Sequence, residues 1–480
     1  MGSGPEGSER AVATIDDLLE PFHESMKPRA EFRIGAEAEK IGLLFDPKSP
    51  ATAPRAIAYG EPQGDPSASS PREPDILFVL DELARHHGWK KEDGNGPLIA
   101  LSRDGASVTL EPGAQLELSG APLRSVHEIE REVAVHLGEL HAISARVRET
   151  SGLDLRWLGI GFHPTARDAD LSWVPKARYG VMRRYLPTKG QHGIDMMRRT
   201  ATVQANFDYE HEEDAIRKLR VGLRLAPFFT AMFANSPWFE GALFGGKSYR
   251  AKVWLSVDPS RQGLVPAVLD GGKARIVDYV EWVLDAPMFL LLRKDEHGAQ
   301  RVVENTGQTF RDFMKNGFGG ERATMSDWVT HVNSMFPEVR LKRTLEVRGA
   351  DSLPAPLVPA PAALFGGLFY DARALGEAEE LASSFTHDEL VALRPRVAEE
   401  GVLASFRGGR VVDVASKMIE IAKGGLGRRA ILDAEGRDEG RFLAPVEAML
   451  ARGRCPADDL IDAAARSNAS LSEKLAPATL

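Results

Sequence analysis

The sequence predicts an α+β protein in which a sheet lines a polar funnel, helices pack outside it, and the C-terminal part is helical. Three observations support this. Four well-separated stretches, residues 31–45, 108–120, 200–208 and 340–349, alternate polar and aliphatic residues with the two-residue period of a strand. Between them lie longer apolar-periodic stretches that open on side-chain capping signals, as helices do. From about Leu375 onward the pattern is helical only.

In chain order, Thr14 with Asp17 predicts a short capped helix that stops near Pro21. The first strand follows, with Glu37 and Glu39 two residues apart and therefore on one side. Residues 47–74 shift to Pro, Ser, Gly and Ala with no apolar period, and read as a mobile loop. Ile76, Leu77, Val79, Leu80 and Leu83 give a helix that ends before Gly88. The central strand, Val108 to Gly120, puts Glu111, Gln115, Glu117 and Ser119 on one face and Leu110, Leu116 and Leu118 on the other. A solvated outer strand would alternate the same way, so the case for chemistry depends on the other strands. Ser125 and Glu128 cap a long helix that Gly152 terminates.

Gly159-Ile160-Gly161 sits in a buried strand and lacks the third glycine of a dinucleotide fingerprint, so no cofactor role is assigned to it. The third polar strand places Thr200, Thr202, Gln204, Asn206 and Asp208 on one side, and Glu212 to Met232 is a helix. Gly241 to Ser248 matches the G-x-x-x-x-G-K-[ST] phosphate loop letter by letter. That loop works only between a buried strand and a helix. Here a turn precedes it and residues 248–255 read as extended, so Arg250 is favoured as the functional residue of the segment. The fourth strand, Arg340 to Gly349, aligns Arg340, Lys342, Thr344, Glu346 and Arg348.

Composition excludes several classes. Hydrophobic residues are 43% and charged residues 27%, a soluble globular profile, and the net charge of −9 argues against a nucleic-acid or membrane-surface binder. An anionic substrate would need a locally basic pocket, and residues 176–200, with Arg178, Arg183, Arg184, Arg198 and Arg199, form the most basic stretch. The single cysteine, Cys455, excludes an intrachain disulfide and a cysteine metal cage. With no apolar signal core in the first residues and no apolar run near the ~20 residues that span a bilayer, the expected location is the cytoplasm.

Clustered Glu37, Glu39, Glu111, Glu117 and Glu346 suit a hard cation, Mg²⁺ or Mn²⁺. Arg178, Arg250, Lys342 and Arg348 would supply the opposite charge for carboxylate and phosphate groups. Acids and bases in one funnel imply metal-bridged phosphate chemistry. A non-catalytic metal- or nucleotide-binding protein is the rival class, and it leaves unexplained why costly acids would gather on a buried face.

Ile34-Gly35-Ala36-Glu37-Ala38-Glu39-Lys40, Leu110 to Pro122, Arg178-Tyr179, Asp195-Met196-Met197, Thr202 to Asn206, Phe233 to Pro237 and Phe336 to Asp351 together resemble the plant and proteobacterial type of glutamate-cysteine ligase. The resemblance runs in order from about residue 30 to 372. It implies a glutamine-synthetase-like antiparallel sheet curved into a funnel, with a catalytic region over residues 1–375 and a helical extension over 376–480 packed on it. It also implies ATP- and Mg²⁺-dependent joining of the glutamate side-chain carboxylate to the amine of L-cysteine through a γ-glutamyl phosphate, the first step toward glutathione or a related thiol. Carried over by position, Glu37, Glu39, Glu117 and Glu346 would hold metal, with Glu111 close by and Gln204 a weaker candidate. Arg178 and Arg250 would grip L-glutamate and Lys342 and Arg348 would face ATP, which makes Arg250 and Arg348 the candidate catalytic residues.

The chain departs from the family pattern at two places. Ala355-Pro356-Leu357 stands where a Trp-Arg-Arg run is common, and Phe289 where an aromatic with a hydroxyl is often found. Both bear on the second substrate, so a related ligase using another amine stays open, as does the choice between monomer and homodimer.

Overall fold

The computed structural model describes residues 9–49, 52–60, 74–92, 96–269, 273–294 and 300–480. Its centre is a ten-stranded antiparallel sheet. The strands are β1 (Ile34–Phe45), β2 (Arg55–Ala56), β3 (Lys90–Lys91), β4 (Ala100–Arg103), β5 (Ala106–Leu110), β6 (Leu116–Ser119), β7 (Asp154–Leu158), β8 (Thr202–Phe207), β9 (Val339–Leu341) and β10 (Leu345–Asp351). They run in the order β9-β10-β8-β1-β6-β5-β4-β3, with β2 and β7 pairing the far end of β1. The expected α+β architecture is the observed one.

Alternation along the strands creates two faces. In β8 the side chains of Val203, Ala205 and Phe207 are buried against the helices, and Phe207 meets the rings of Phe365 and Phe369. Each such ring stabilises the fold by about 1.5–3 kcal/mol relative to exposure. The helices on this side are α1 (Val126–Ser151), α2 (Glu212–Met232), α3 (Ala360–Phe369) and α4 (Val411–Arg429). The Ser125–Glu128 capping box opens α1, and Gly152, in the left-handed conformation at φ 75°, closes it. The opposite face, bearing Glu37, Glu39, Thr109, Glu117, Thr202 and Gln204, borders a large cavity.

Several local expectations need correction. The first helix continues through Pro21 to His23. Val108 to Gly120 is a hairpin of β5 and β6, with Ala114 at φ 67° in its turn. Arg340 to Gly349 is likewise two strands, β9 and β10. Of the loop expected over 47–74, residues 50–51 and 61–73 lie outside the described residues, as do 1–8, and Arg55–Ala56 is a strand on β1 rather than loop. Residue 375 falls inside the helix Ala372–Ala382. No helix among the described residues is long and apolar enough to cross a membrane.

Candidate active site

All ten residues singled out from the sequence line one cavity of about 1800 Å³: Glu37, Glu39, Glu111, Glu117, Arg178, Gln204, Arg250, Lys342, Glu346 and Arg348. Register explains how the acids meet. Glu39 lies directly opposite Glu117 across β1 and β6, and Glu37 lies between Ser119 on β6 and Gln204 on β8. Like charges directly opposite one another on a sheet repel. Burial, then the Glu111 and Glu117 carboxylates, push Glu39 well above the ordinary carboxylate range. Burial, then Glu346 and Glu117, push Glu37 up as well.

The acids differ in how their oxygens are engaged. Glu39 Oε2 accepts from the Thr202 amide at 3.1 Å, and Glu37 Oε1 from Asn206 Nδ2 at 3.0 Å. Glu117 accepts from the Ser119 hydroxyl. Glu111, in the hairpin turn, keeps a buried Oε1 with no hydrogen-bond partner. Glu346 is saturated with cations: Arg340 Nη2, Lys342 Nζ and Arg348 Nη1 each lie 2.6 Å from its oxygens. These charges outweigh the burial that would raise it and hold Glu346 well below the carboxylate range. Gln204 Oε1 accepts from Arg348 at 2.8 Å.

The acids split accordingly. Glu39 opposed by Glu117, the raised Glu37 beside them and the orphaned buried oxygen of Glu111 are a donor set that fits a hard divalent cation. Among the described residues no three acidic, histidine or cysteine side chains are already gathered into a metal-holding group. Glu346 and Gln204, expected beside the others as ligands, both accept from the guanidinium of Arg348.

The bases come from three elements. Arg178 stands on the helix Ala177–Tyr185, where burial would lower its basicity but Tyr179 and Glu111 outweigh it and raise it. Arg250 stands on the helix Tyr249–Val253, which corrects the extended reading of residues 248–255. A helix therefore does follow the phosphate-loop pattern, yet the pattern serves structure. Lys247 Nζ pairs with Asp458 at 2.6 Å, and the Lys247 and Ser248 amides both donate to Ala398 O. Ser248 caps the helix by accepting from the Ala251 amide at 2.9 Å.

Two residues were missed. Arg340, 1% exposed, binds Glu346 through two nitrogens, Nε at 2.7 Å and Nη2 at 2.6 Å. Asp351, 0% exposed, sits beneath Arg250. A turn placed at Lys342–Thr344 would have revealed the first, because it sets Arg340 opposite Glu346.

Comparison with known proteins gives a consistent result. Residues 60–476 match the family model described as glutamate-cysteine ligase family 2. The chain is 38% identical over 454 residues to the chloroplastic glutamate–cysteine ligase B of Oryza sativa subsp. japonica, covering 94% of this chain and 84% of that protein. It is 36% identical over 469 residues to the chloroplastic glutamate–cysteine ligase of Arabidopsis thaliana, covering 96% of this chain and 83% of that one. A solved complex of the prokaryotic ubiquitin-like protein Pup with its ligase PafA overlays with a TM-score of 0.38 at 10% identity, covering 92% of this chain and 64% of that one, too remote to carry weight. The expected cytoplasmic location is overturned, since these relatives are named chloroplastic. A cavity that joins opposed acids to a basic wall and a match over most of the length agree: the chain belongs to glutamate-cysteine ligase family 2.

Proposed function

We propose that the chain joins the side-chain carboxylate of L-glutamate to the amine of L-cysteine, using ATP and a divalent cation, Mg²⁺ or Mn²⁺. As a member of this family it is a ligase, and the reaction would open glutathione or related thiol synthesis. The observation that carries the reading is the pair Glu39–Glu117, opposed and buried in the same cavity as Arg178, Arg250, Lys342 and Arg348.

A carboxylate is a poor electrophile, so the γ-phosphoryl group of ATP passes first to a glutamate side-chain oxygen and ADP leaves. The amine then attacks the acyl carbon, phosphate departs, and the nitrogen loses its extra proton. Arg178 and Arg250 hold glutamate and fix the line of attack, while Lys342 and Arg348 face the phosphates. Glu346 and Gln204 fix the direction of the Arg348 guanidinium. Glu37, Glu39, Glu111 and Glu117 would hold the cation, which when bound neutralises charge on the phosphate oxygens. The cavity is also lined by Met182, Phe289, Leu290, Leu292 and Phe336, an apolar surface suited to a short thiol side chain.

The test is mass spectrometry of the product formed from ATP, Mg²⁺, glutamate and a panel of competing amines. γ-Glutamylcysteine is the expected product. Phosphate release unchanged by cysteine would point to a different acceptor and remove this one. Within that assay, Arg250→Ala is expected to raise the KM for glutamate by ~10-fold or more while that for ATP stays within about twofold, the loss of one charge-assisted contact. An equal rise in both would end the assignment of Arg250.

A further inference from the structure

We propose that Asp351 is the positioning residue of Arg250, fixing both the backbone and the guanidinium of the arginine that receives glutamate. The inference rests on the glutamate-binding reading of Arg250. Asp351 closes β10 and is completely buried. Its Oδ2 accepts from the Asn235 amide at 2.6 Å and the Ser236 hydroxyl at 2.7 Å, and its Oδ1 from the Ser248 hydroxyl at 2.9 Å.

Both serines then act on the short helix. Ser236 Oγ accepts from the Arg250 amide at 3.2 Å, and Ser248 Oγ from the Ala251 amide at 2.9 Å. Oδ1 of Asp351 also lies 3.9 Å from Arg250 Nη1. One carboxylate thus governs where the helix starts and where its arginine points. The guanidinium is further fixed by donation from Nη2 to Arg348 O at 2.9 Å and from Nη1 to Gly349 O at 3.4 Å, leaving Nε as its edge without a partner.

The segment that follows β7 makes room for this arrangement: the strand ends at Leu158, so Gly159 to Gly161 lie beyond it and not in the buried strand expected. A Cβ at Gly161 would stand 2.3 Å from Asp351 Cγ, a separation only glycine permits. The Gly159-Ile160-Gly161 stretch, which had no role as a nucleotide motif, has this one. The phosphate-loop pattern finds its use here as well, because its final serine is one of the two hydroxyls that Asp351 holds.

Asp351→Asn keeps the volume and one acceptor but removes the charge facing Arg250, and it sets an amide donor against a hydroxyl donor. The assay is kcat and KM for both glutamate and ATP in the full chain, for the parent, Asp351→Asn, Ser248→Ala and Arg250→Lys. Asp351→Asn is expected to raise the glutamate KM by ~10-fold or more with the ATP KM within about twofold, as for a lost charge-assisted contact. Ser248→Ala, which leaves the charge in place, moves the glutamate KM in the same direction by about threefold and keeps the inference testable if the first variant does not fold. A lower kcat and a lower melting temperature with both KM values unmoved would make Asp351 a purely structural residue and overturn the proposal. If Arg250→Lys leaves the glutamate KM unmoved, the glutamate-binding reading itself falls and this inference with it. A shift for Arg250→Lys without one for Asp351→Asn and Ser248→Ala overturns the inference alone.

Discussion

Glu117→Gln is expected to lower turnover at limiting Mg²⁺ on the order of 100-fold, with partial recovery as Mg²⁺ rises. Glu117 faces Glu39 across adjacent strands inside a buried cavity, and its charge is one of the causes that raise Glu39. Glu39 responds in the folded state by holding its proton well above the ordinary value of 4.5. A carboxyl raised on folding contributes stability that is full below its unfolded pKa and lost as pH rises through the folded one. The metal-free enzyme therefore loses this contribution toward alkaline pH, and Mg²⁺, which binds the deprotonated form, stabilises more as pH rises and releases protons on binding. Melting curves in chelator and in Mg²⁺ at several pH values, with calorimetry in buffers of different ionisation enthalpy, check this. An unchanged Mg²⁺ dependence in the variant would remove Glu117 from the cation site.

How much of this site was legible depended on which forces were local. Two-residue alternation is a property of the chain itself, so the polar faces of β1 and β8 could be read directly, and so could capping at Ser125 and Thr14. The hairpin turns were hidden because their stabilisation is tertiary. Ala114 adopts a left-handed conformation that alanine disfavours. Its turn is held by the Gln115 side chain, which accepts from the Gly113 amide at 2.8 Å and donates to Thr200 O at 2.8 Å. At residues 249–253 only five positions are helical, too few for a 3.6-residue period to emerge over a two-residue one. The ten candidate residues line one cavity, yet the saturation of Glu346 was not foreseeable. Arg340 reaches it only after the chain reverses between β9 and β10, and while that stretch was read as one strand the two residues were six positions apart on a common face. Location is a different matter: composition and charge do not distinguish compartments of similar redox state, so the sequence gives no ground for the cytoplasm over the compartment in which the relatives are named.

Glu346→Gln is expected to destabilise the metal-free protein severely. Its carboxylate is shared by Arg340, Lys342 and Arg348, and both Glu346 and Arg340 are 1% exposed. Removing the one counter-ion leaves Arg340 buried and uncompensated, at a cost of about 3–5 kcal/mol. Lys342 and Arg348 lose their anchor at the same time, so the KM for ATP is expected to rise more than that for glutamate. The pH dependence follows from the direction of the shift. A carboxyl held well below 4.5 in the folded state contributes stability that is present above its unfolded pKa and lost as pH falls through the folded one. The gap between parent and variant should therefore be widest near neutral pH and narrow in acid. Pairing Glu346→Leu with Arg340→Met removes both buried charges and should recover much of the melting temperature, since a buried ion pair replaced by apolar residues of similar size is often neutral. Activity should not return, because Lys342 and Arg348 still lack the group that aims them. A double variant that regained ATP affinity along with stability would show that Glu346 matters for burying Arg340 alone, and the proposed phosphate-facing role of Lys342 and Arg348 would no longer depend on it.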